Sequence, residues 1–324
     1  MNNGYFFVHS GERVELANAE LRALVKSYHP SAALQSLDER VSVVDGNHIN
    51  FQKITSRTAC TKYAGKLLSL SGAMDFDPDG HFKNYSKFAC RLLNLSKKNV
   101  SMEPVSKLGK YIKEKSPWMQ VSLDNPDITV LYIVTNSGSM VGLAEYKNVM
   151  NWRQKGLRKR PYFHPVALEP QLSRIMVNLT MAKENDTLLD PFCGTGSVML
   201  EAANMNIQTI GCDVSSTMCD GALQNTRNAN SLIVNCDALS LPLQTKDVDV
   251  IGTDLPYGRS ASTMKRGSKT LLKEFVSLIT DEMKGKRCCL MCRKGDEQLF
   301  DNVVEEYDIY EHRSLTRKLM VLCN

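Results

Sequence analysis

Residues 188–197 (LLDPFCGTGS) join an apolar run to a glycine-rich turn and a helix-like segment. Gly194 and Gly196 allow a sharp turn and a close approach of the backbone to a ligand. The turn lacks the Lys-Ser/Thr pair of a phosphate cradle, and Asp190 just before it would repel a pyrophosphate. A carboxylate at this point suits a positively charged ligand with an amino acid moiety. S-adenosylmethionine carries both an ammonium and a sulfonium group, so the turn predicts a site for that cofactor.

Two further acids follow the next predicted strands. Asp213 comes about twenty residues after the turn, where a carboxylate can accept both ribose hydroxyls of a nucleoside. Asp237 follows the third strand and is placed to accept from an adenine amine. Each acid alone is equally typical of a helix cap or a turn. Three acids after successive strands, together with the glycine turn, favour the cofactor site.

The fourth predicted strand ends in TDLPYG, residues 253–258. This stretch resembles the (Asp/Asn)-Pro-Pro-(Tyr/Phe) motif of class I amino-methyltransferases, with Leu255 replacing the first proline. In such a loop the Asp254 carboxylate and the Leu255 carbonyl accept hydrogen bonds from an exocyclic amine, which aims its lone pair at the methyl group. Pro256 stiffens the backbone, and Tyr257 offers a face on which a flipped base can stack.

The elements that position these residues alternate between strand and helix from residue 164 onward. The pattern predicts strands at 187–190, 208–212, 232–235, 248–253, 287–292, 308–312 and 318–323, and helices at 197–204, 215–230, 271–283 and 297–306. The alternation predicts an α/β fold with a mostly parallel sheet, in which one late strand runs antiparallel. Together with the resemblance of TDLPYG to the amino-methyltransferase motif, it implies a Rossmann-like methyltransferase domain with a mixed seven-stranded sheet. A ligand of such a sheet binds outside the carboxyl ends of the strands.

The first half of the chain predicts a smaller α+β region. Strands are expected at 5–8, 33–37, 41–44, 128–135 and 140–144, and helices at 14–25 and 103–115, with a turn-rich loop at 71–80. The last two strands are separated by Asn136-Ser-Gly-Ser139, which indicates a hairpin.

Composition excludes several classes of protein. The 324 residues are 43% hydrophobic and 23% charged, which is ordinary for a globular protein and excludes collagen-like, disordered and low-complexity chains. The longest apolar run, near 128–134, is far shorter than the ~20 residues of a membrane span. The first fifteen residues do not resemble a secretory signal, so the ten cysteines are interpreted as free thiols of a cytoplasmic protein. Cys289 and Cys292 lie in an apolar strand without a second ligand pair, so no metal site is predicted.

Charge is divided unevenly along the chain. Residues 1–160 contain 23 lysines and arginines against 14 acids, whereas residues 161–324 contain 17 against 21. Within residues 147–163, basic side chains lie between Trp152 and Tyr162, a pattern typical of phosphate contact and base stacking, and also of a solvated linker. The predicted RNA contacts are Arg153, Lys155, Arg158, Lys159 and Arg160.

Four stretches together resemble one family: DPFCGTG, DLPYG, RPYFHP at 160–165 and HRSLTR at 312–317. They are similar to the archaeal tRNA guanine-N2 methyltransferases, which modify guanosine 10 of tRNA. The resemblance implies a ferredoxin-like module at 1–50, a THUMP domain at 51–146 that grips the 3′ end of tRNA, a basic linker at 147–163 and a methyltransferase domain at 164–324. It also implies that Phe192 belongs to the cofactor loop and that His164 borders the pocket.

The resemblance implies an enzyme that acts on tRNA, with no membrane or DNA partner. Eukaryotic relatives work with a small zinc-binding subunit, so either such a subunit or a monomer is expected. Three alternatives stay open: a guanine at another tRNA or rRNA position, a different amine such as DNA adenine or a protein glutamine, and a non-catalytic RNA-binding protein. The basic first half favours nucleic acid over protein. The residues do not distinguish transfer of one methyl group from transfer of two.

Overall fold

A computed structural model describes residues 4–46, 49–148, 152, 156–256, 268–313 and 315–323. The chain divides into two compact units. Unit 1 comprises Met1–Ser56 and Cys60–Val149, and unit 2 comprises Arg57–Ala59 and Met150–Asn324. Among the described residues, every helix is too short or too polar to traverse a lipid bilayer.

The described residues of unit 1 form eight strands and four helices. The strands are β1 Gly4–His9, β2 Leu34–Asp38, β3 Val41–Asp45, β4 Thr61–Ser69, β5 Lys87–Asn94, β6 Gln120–Val121, β7 Ile128–Val134 and β8 Ser139–Lys147. The helices are α1 Val14–Tyr28, α2 Phe51–Arg57, α3 Pro78–Phe82 and α4 Glu103–Lys115. All eight strands form one sheet, in the order β2-β3-β1-β4-β8-β7-β5-β6.

The two long helices of unit 1 cover one sheet through amphipathic stripes. In α4, Val105, Leu108 and Ile112 recur at helical spacing and are buried, which places one apolar face against the sheet. In β1, Phe7 packs with residues of α1, whereas its neighbour Phe6 packs in a separate cluster, as the two-residue period of a strand requires. The predicted boundary between residues 50 and 51 falls inside this unit, because strands from both sides of it share the sheet.

In unit 2, the part of the chain that the structure describes forms seven strands and four α-helices. The strands are β9 Thr187–Asp190, β10 Gln208–Asp213, β11 Ser231–Asn235, β12 Val250–Asp254, β13 Arg287–Arg293, β14 Val303–His312 and β15 Leu315–Cys323. The helices are α5 Pro170–Leu179, α6 Ser197–Ala203, α7 Ser216–Thr226 and α8 Ser268–Asp281. The sheet order is β11-β10-β9-β12-β13-β15-β14. Among the strands that the structure describes in this sheet, β15 alone runs opposite to the direction of the others, which agrees with the single antiparallel strand predicted.

The predicted helix at 297–306 is wrong. A 3-10 turn at Glu297–Leu299 is followed, after three intervening residues, by β14. Along β14, half-buried Val303, Glu305 and Tyr307 alternate with exposed residues, which is the period of a strand rather than of a helix. Pairing with β15 decides the structure of this segment, and that long-range contact is not visible in a short window of sequence. The strands β4 and β5 were also not predicted.

Candidate active site

The sheet of unit 2 brings three predicted acids to one edge. Asp190, Asp213 and Asp254 are the last residues of the parallel strands β9, β10 and β12. The direction in which strands are added reverses between β9 and β12, since the chain builds β10 and β11 on one side of β9 and β12 on the other. A crevice at such a reversal is where open α/β sheets bind ligands. Asp190 and Asp254 therefore lie on either side of the expected binding position.

The glycine-rich turn has the conformation that its sequence predicts. Gly194 and Gly196 have φ values of 51° and 77°, in the left-handed region that favours glycine. A Cβ at Gly194 would meet no heavy atom of the described residues within 4 Å, so the backbone borders open space there. A Cβ at Gly196 would lie 3.3 Å from the Ala222 Cβ on α7. One glycine therefore leaves the backbone accessible, and the other allows the turn to pack closely on a helix.

Asp190 is a buried carboxylate held by uncharged donors. Its side chain is only 2% exposed, and its Oδ1 accepts from the Thr253 hydroxyl at 2.6 Å and from the Phe192 N–H at 3.3 Å. Burial, together with a smaller contribution from the nearby Asp213 carboxylate, raises the pKa of Asp190 to about 7. The Thr253 contact joins the ends of β9 and β12 across the strand reversal.

Asp213 connects the glycine turn to the start of α7. One carboxylate oxygen accepts from the Gly194 N–H at 3.0 Å, and the other accepts from the Ser215 N–H at 2.9 Å. Burial raises the pKa of Asp213 as well. Within the described part of the chain, neither Asp190 nor Asp213 forms an ion pair with a basic side chain. A cation beside these two carboxylates would offset both the cost of their desolvation and their mutual repulsion. The pair therefore fits the positively charged ammonium and sulfonium of S-adenosylmethionine.

The remaining predicted cofactor residues differ in how directly they border this edge. Asp237 follows β11 and its Oδ1 accepts from the Leu239 N–H at 3.0 Å, which is the local turn contact that an aspartate alone predicts. Phe192 packs edge-on against Phe275 of α8, with ring centroids 5.0 Å apart, so its ring belongs mainly to the core beneath the turn. The Nδ1 of His164 is buried and has no hydrogen-bond partner among the described residues.

The predicted amine-orienting loop is anchored from both sides. The Asp254 carboxylate forms an ion pair with Arg317 of β15. The Leu255 side chain is 1% exposed and packs in the core beneath α8, while its N–H donates to the Met291 carbonyl at 2.8 Å. A proline at 255 could not donate this hydrogen bond, which gives a physical reason for the departure from the two-proline motif. Pro256 is half-buried, and Tyr257 lies outside the described residues.

The segment at 160–164 packs on the cofactor half of unit 2. The Arg160 side chain donates to the Ser197 hydroxyl at 2.6 Å at the start of α6, and burial lowers its pKa. The Tyr162 ring packs over Gly221, where a Cβ would come within 2.5 Å of it. Asn225 of α7 donates to the carbonyls of both Tyr162 and Thr195, at 3.1 and 2.9 Å. This segment therefore fixes the glycine turn from outside.

The five predicted RNA contacts are distributed among different environments. Arg158 and Lys159 are exposed on a 3-10 turn, where they are accessible to a polyanion. Arg160 is instead directed at α6. Arg153 and Lys155 lie outside the described residues.

Sequence reasoning missed Thr253, Asn225 and Arg317. Thr253 and Asn225 carry no local signal, because their partners lie 63 and 30 or more residues away in the chain. Arg317 did carry one, since it belongs to the HRSLTR stretch that the family resemblance singled out and precedes the apolar end of the strand. Residues Cys289 and Cys292 are buried in β13, where burial raises the pKa of both thiols.

The sheet order, the glycine turn after β9 and the acids at the carboxyl edge define a Rossmann-like methyltransferase domain. A family model described as "RMKL-like, methyltransferase domain" matches residues 158–316, almost all of the described part of unit 2. A second model, of DNA methylases, matches residues 77–224, which span parts of both units. TrmN from Thermus thermophilus is similar in structure, with a TM-score of 0.55 and 16% identity over 99% of both chains. A methyltransferase complexed with SAH has a TM-score of 0.50 and 11% identity, covering 100% of this chain and 99% of that chain.

Curated relatives identify the family. The tRNA (guanine(10)-N2)-dimethyltransferase of Methanothermobacter thermautotrophicus is 30% identical over 97% of both chains. The Methanocaldococcus jannaschii protein of the same description is 27% identical over 97% of this chain and 98% of its own. This chain belongs to the family of tRNA (guanine(10)-N2)-dimethyltransferases. Membership confirms the predicted fold class, the enzyme class and the methyl donor, S-adenosylmethionine.

Proposed function

We propose that this protein transfers methyl groups from S-adenosylmethionine to the exocyclic N2 amine of guanosine 10 in tRNA. The relatives that match along nearly the whole chain are described as acting at that position. A Methanocaldococcus jannaschii relative described as acting at guanosine 6 matches only 72% of this chain at 25% identity. The single observation that carries the proposal is that Asp190 and Asp254 lie on the two sides of the strand reversal. Thr253, which precedes Asp254 in β12, donates a hydrogen bond to Asp190 across it.

The cofactor supplies an electrophilic methyl group on a sulfonium when it is bound. Asp190 would hold its ammonium group, because this buried carboxylate has uncharged donors and no basic partner among the described residues. Asp213 would accept the ribose hydroxyls and Asp237 the adenine amine. The backbone of Gly194 and Gly196 would border the methionine end, with Phe192 supporting the turn from beneath and His164 at the rim of the pocket.

The N2 amine of guanine is a weak nucleophile, since its lone pair is delocalised into the ring. Acceptors on Asp254 and on the Leu255 carbonyl would each take one N–H, which turns the lone pair out of the ring plane and toward the methyl group. Pro256 limits the motion of these acceptors. Tyr257 would stack on the extruded base. The chain thus contributes positioning and charge rather than a covalent intermediate.

The tRNA would meet the protein through its basic first half and through exposed Arg158 and Lys159. A cytoplasmic location follows from this substrate. Either a small auxiliary subunit or a monomer fits the proposal, and the activity assay of the purified chain tests whether such a subunit is required.

The experiment compares unmodified tRNA transcripts that differ by one functional group. Inosine replaces guanosine at position 10 in one transcript and at position 6 in another, which removes only the exocyclic amine. Each is incubated with purified full-length protein and labelled methyl donor, and the nucleosides are then separated by mass spectrometry. We expect N2-methylated guanosine from the parent and from the position-6 transcript, and none from the position-10 transcript.

Loss of product with inosine at position 6 rather than 10 would move the activity to that site. Product from both inosine transcripts would place the target elsewhere in the RNA. Failure of the purified chain to methylate any transcript, followed by activity after addition of a cell extract fraction, would show that a partner is needed. The ratio of singly to doubly methylated guanosine measures the number of transfers directly.

A further inference from the structure

Strand β15 places a buried arginine near the carboxyl ends of the parallel strands of unit 2, where the predicted site lies. Arg317 lies on β15 and is 3% exposed. In the sheet, Asp254 pairs with Met291, and Met291 pairs with Leu319. Residues two apart in a strand face the same side, so Arg317 and Leu319 lie on the same face of the sheet as Asp254. The register therefore brings Arg317 to the carboxyl end of β12.

The arginine engages one half of the Asp254 carboxylate. The Arg317 Nη2 donates to the Asp254 Oδ1. The two side chains differ in accessibility, at 4% for the arginine and 21% for the aspartate. Burial lowers the pKa of Arg317 to about 10, so it remains protonated at neutral pH. A buried positive charge would be costly unless paired, and Asp254 provides that pairing while part of its own side chain remains exposed.

An unsupported carboxylate can rotate about its terminal bond, and its direction then varies. To aim a substrate amine, Asp254 must present an acceptor in one direction throughout the reaction. A guanidinium is planar and rigid, and its hydrogen bond to one oxygen limits this rotation. Its positive charge also offsets the attraction of Asp254 to a bound sulfonium, which would otherwise draw the carboxylate away from the amine.

We propose that Arg317 is a positioning residue for methyl transfer. It holds the Asp254 carboxylate so that the exposed part of this carboxylate faces the substrate amine. This inference rests on the proposed function, because the amine is the group that Asp254 is proposed to orient. It assigns to the HRSLTR stretch a role within the active site rather than only in the sheet.

Arg287 provides a matched control. It lies on the neighbouring strand β13, pairs with Glu305 at 3.1 Å and donates from Nε to the Leu179 carbonyl at 2.9 Å. Its register partner on β12 is Val250, at the opposite end of that strand from Asp254. Both arginines therefore stabilise the same sheet through an ion pair, but only Arg317 contacts the predicted site.

The test compares R317M, R317K and R287M in the full-length chain with the wild type. Thermal unfolding and S-adenosylmethionine affinity by calorimetry are measured first, followed by kcat and KM on the tRNA transcript. We expect R317M to lower kcat by about 100-fold, as a misplaced group does, while its affinity for the methyl donor stays within about twofold. R317K keeps the charge but not the planar geometry, and we expect a loss of about tenfold in kcat. R287M should lower the unfolding temperature without lowering kcat at a temperature where it is folded.

Guanidinium chloride at millimolar concentration gives a further readout. It should restore part of the kcat of R317M and none in R287M, because only the first variant lacks a group that acts on the reaction. An R317M variant that is folded and keeps its full kcat would overturn the inference, as would an equal loss of kcat in R287M. Crystal structures of R317M and R317K need no substrate, and an unchanged Asp254 orientation in R317M would also overturn it. Absence of methylation by the wild type would instead count against the proposed function.

Discussion

Replacement of Asp190 by asparagine isolates the cost of a buried negative charge. The change is nearly isosteric and keeps Oδ1, so the Thr253 hydroxyl and the Phe192 N–H still have their acceptor. Burial raises the pKa of Asp190 from its usual value near 3.8 to about 7. Below about pH 7 the protonated acid is therefore favoured in the folded cofactor-free protein, whereas the unfolded chain ionises near pH 3.8.

The sign follows from proton linkage. Between the two pKa values the folded protein binds more protons than the unfolded chain, so the wild type loses stability as pH rises through this window. The full penalty above pH 7 is about 4 kcal/mol, since each pKa unit corresponds to about 1.4 kcal/mol. At pH 5 only part of it is present, so the stability of D190N relative to wild type should increase by roughly 3 kcal/mol between pH 5 and 8.5.

Urea unfolding of both proteins at pH 5 and pH 8.5 measures this difference, and contributions of titrating groups that do not interact with Asp190 cancel between them. The constant cost of burying the new amide also cancels. In the same samples, D190N should bind S-adenosylmethionine at least about tenfold more weakly, because a charge-assisted contact is lost. Equal pH dependence in the two proteins would refute the assignment of a buried acid, and undiminished cofactor affinity would refute its role as a ligand.

Three further predictions concern the amine-orienting loop and the RNA. D254N should reduce methyl transfer by about 100-fold while cofactor affinity measured by calorimetry is retained; loss of cofactor binding would mean that Asp254 has another role. L255P should lower the free energy of unfolding by about 3 kcal/mol, because it removes both the hydrogen bond to Met291 and a buried side chain, whereas L255M should cost less than about 1.5 kcal/mol; equal stability of the two variants in urea would contradict this. Affinity for tRNA should fall by about tenfold or more between 50 and 200 mM salt if several phosphates are neutralised, and a flat response in filter binding would oppose an electrostatic interface.

The sequence predicted the glycine turn and the strand ends because both depend on local chemistry. An apolar run that stops at an acid and continues into Gly194 and Gly196 has few structural solutions. The predicted strand at 187–190 coincides with β9, and the predicted helix at 103–115 coincides with α4. In both segments, periodicity and local turn signals agree with the tertiary environment.

The residues that sequence reasoning missed depend on distant partners. Thr253 meets Asp190 only because β9 and β12 are neighbours in the sheet, and Arg317 meets Asp254 through the position of the antiparallel strand β15. Residues 303–307 contain acids and a tyrosine in a pattern that permits a helix, and only the pairing with β15 resolves it. The pairing register between strands that are far apart in the sequence could therefore not be predicted from the sequence alone.

The prediction for Arg160 illustrates a different limit. A run of basic residues indicates an exposed, cationic surface, and Lys159 agrees with it. Arg160 has the same composition signal but is directed at Ser197, because its neighbour Tyr162 packs over α7. Charge patterning predicts the character of a segment, and side-chain packing decides the role of each member.

A crystal structure of the full-length protein with S-adenosylhomocysteine and a guanine nucleotide tests the central claim most directly. The account predicts the ammonium group beside Asp190, the ribose hydroxyls on Asp213 and the guanine N2 within hydrogen-bond distance of Asp254. A nucleoside bound at another edge of the sheet, or a guanine amine directed away from Asp254, would contradict it.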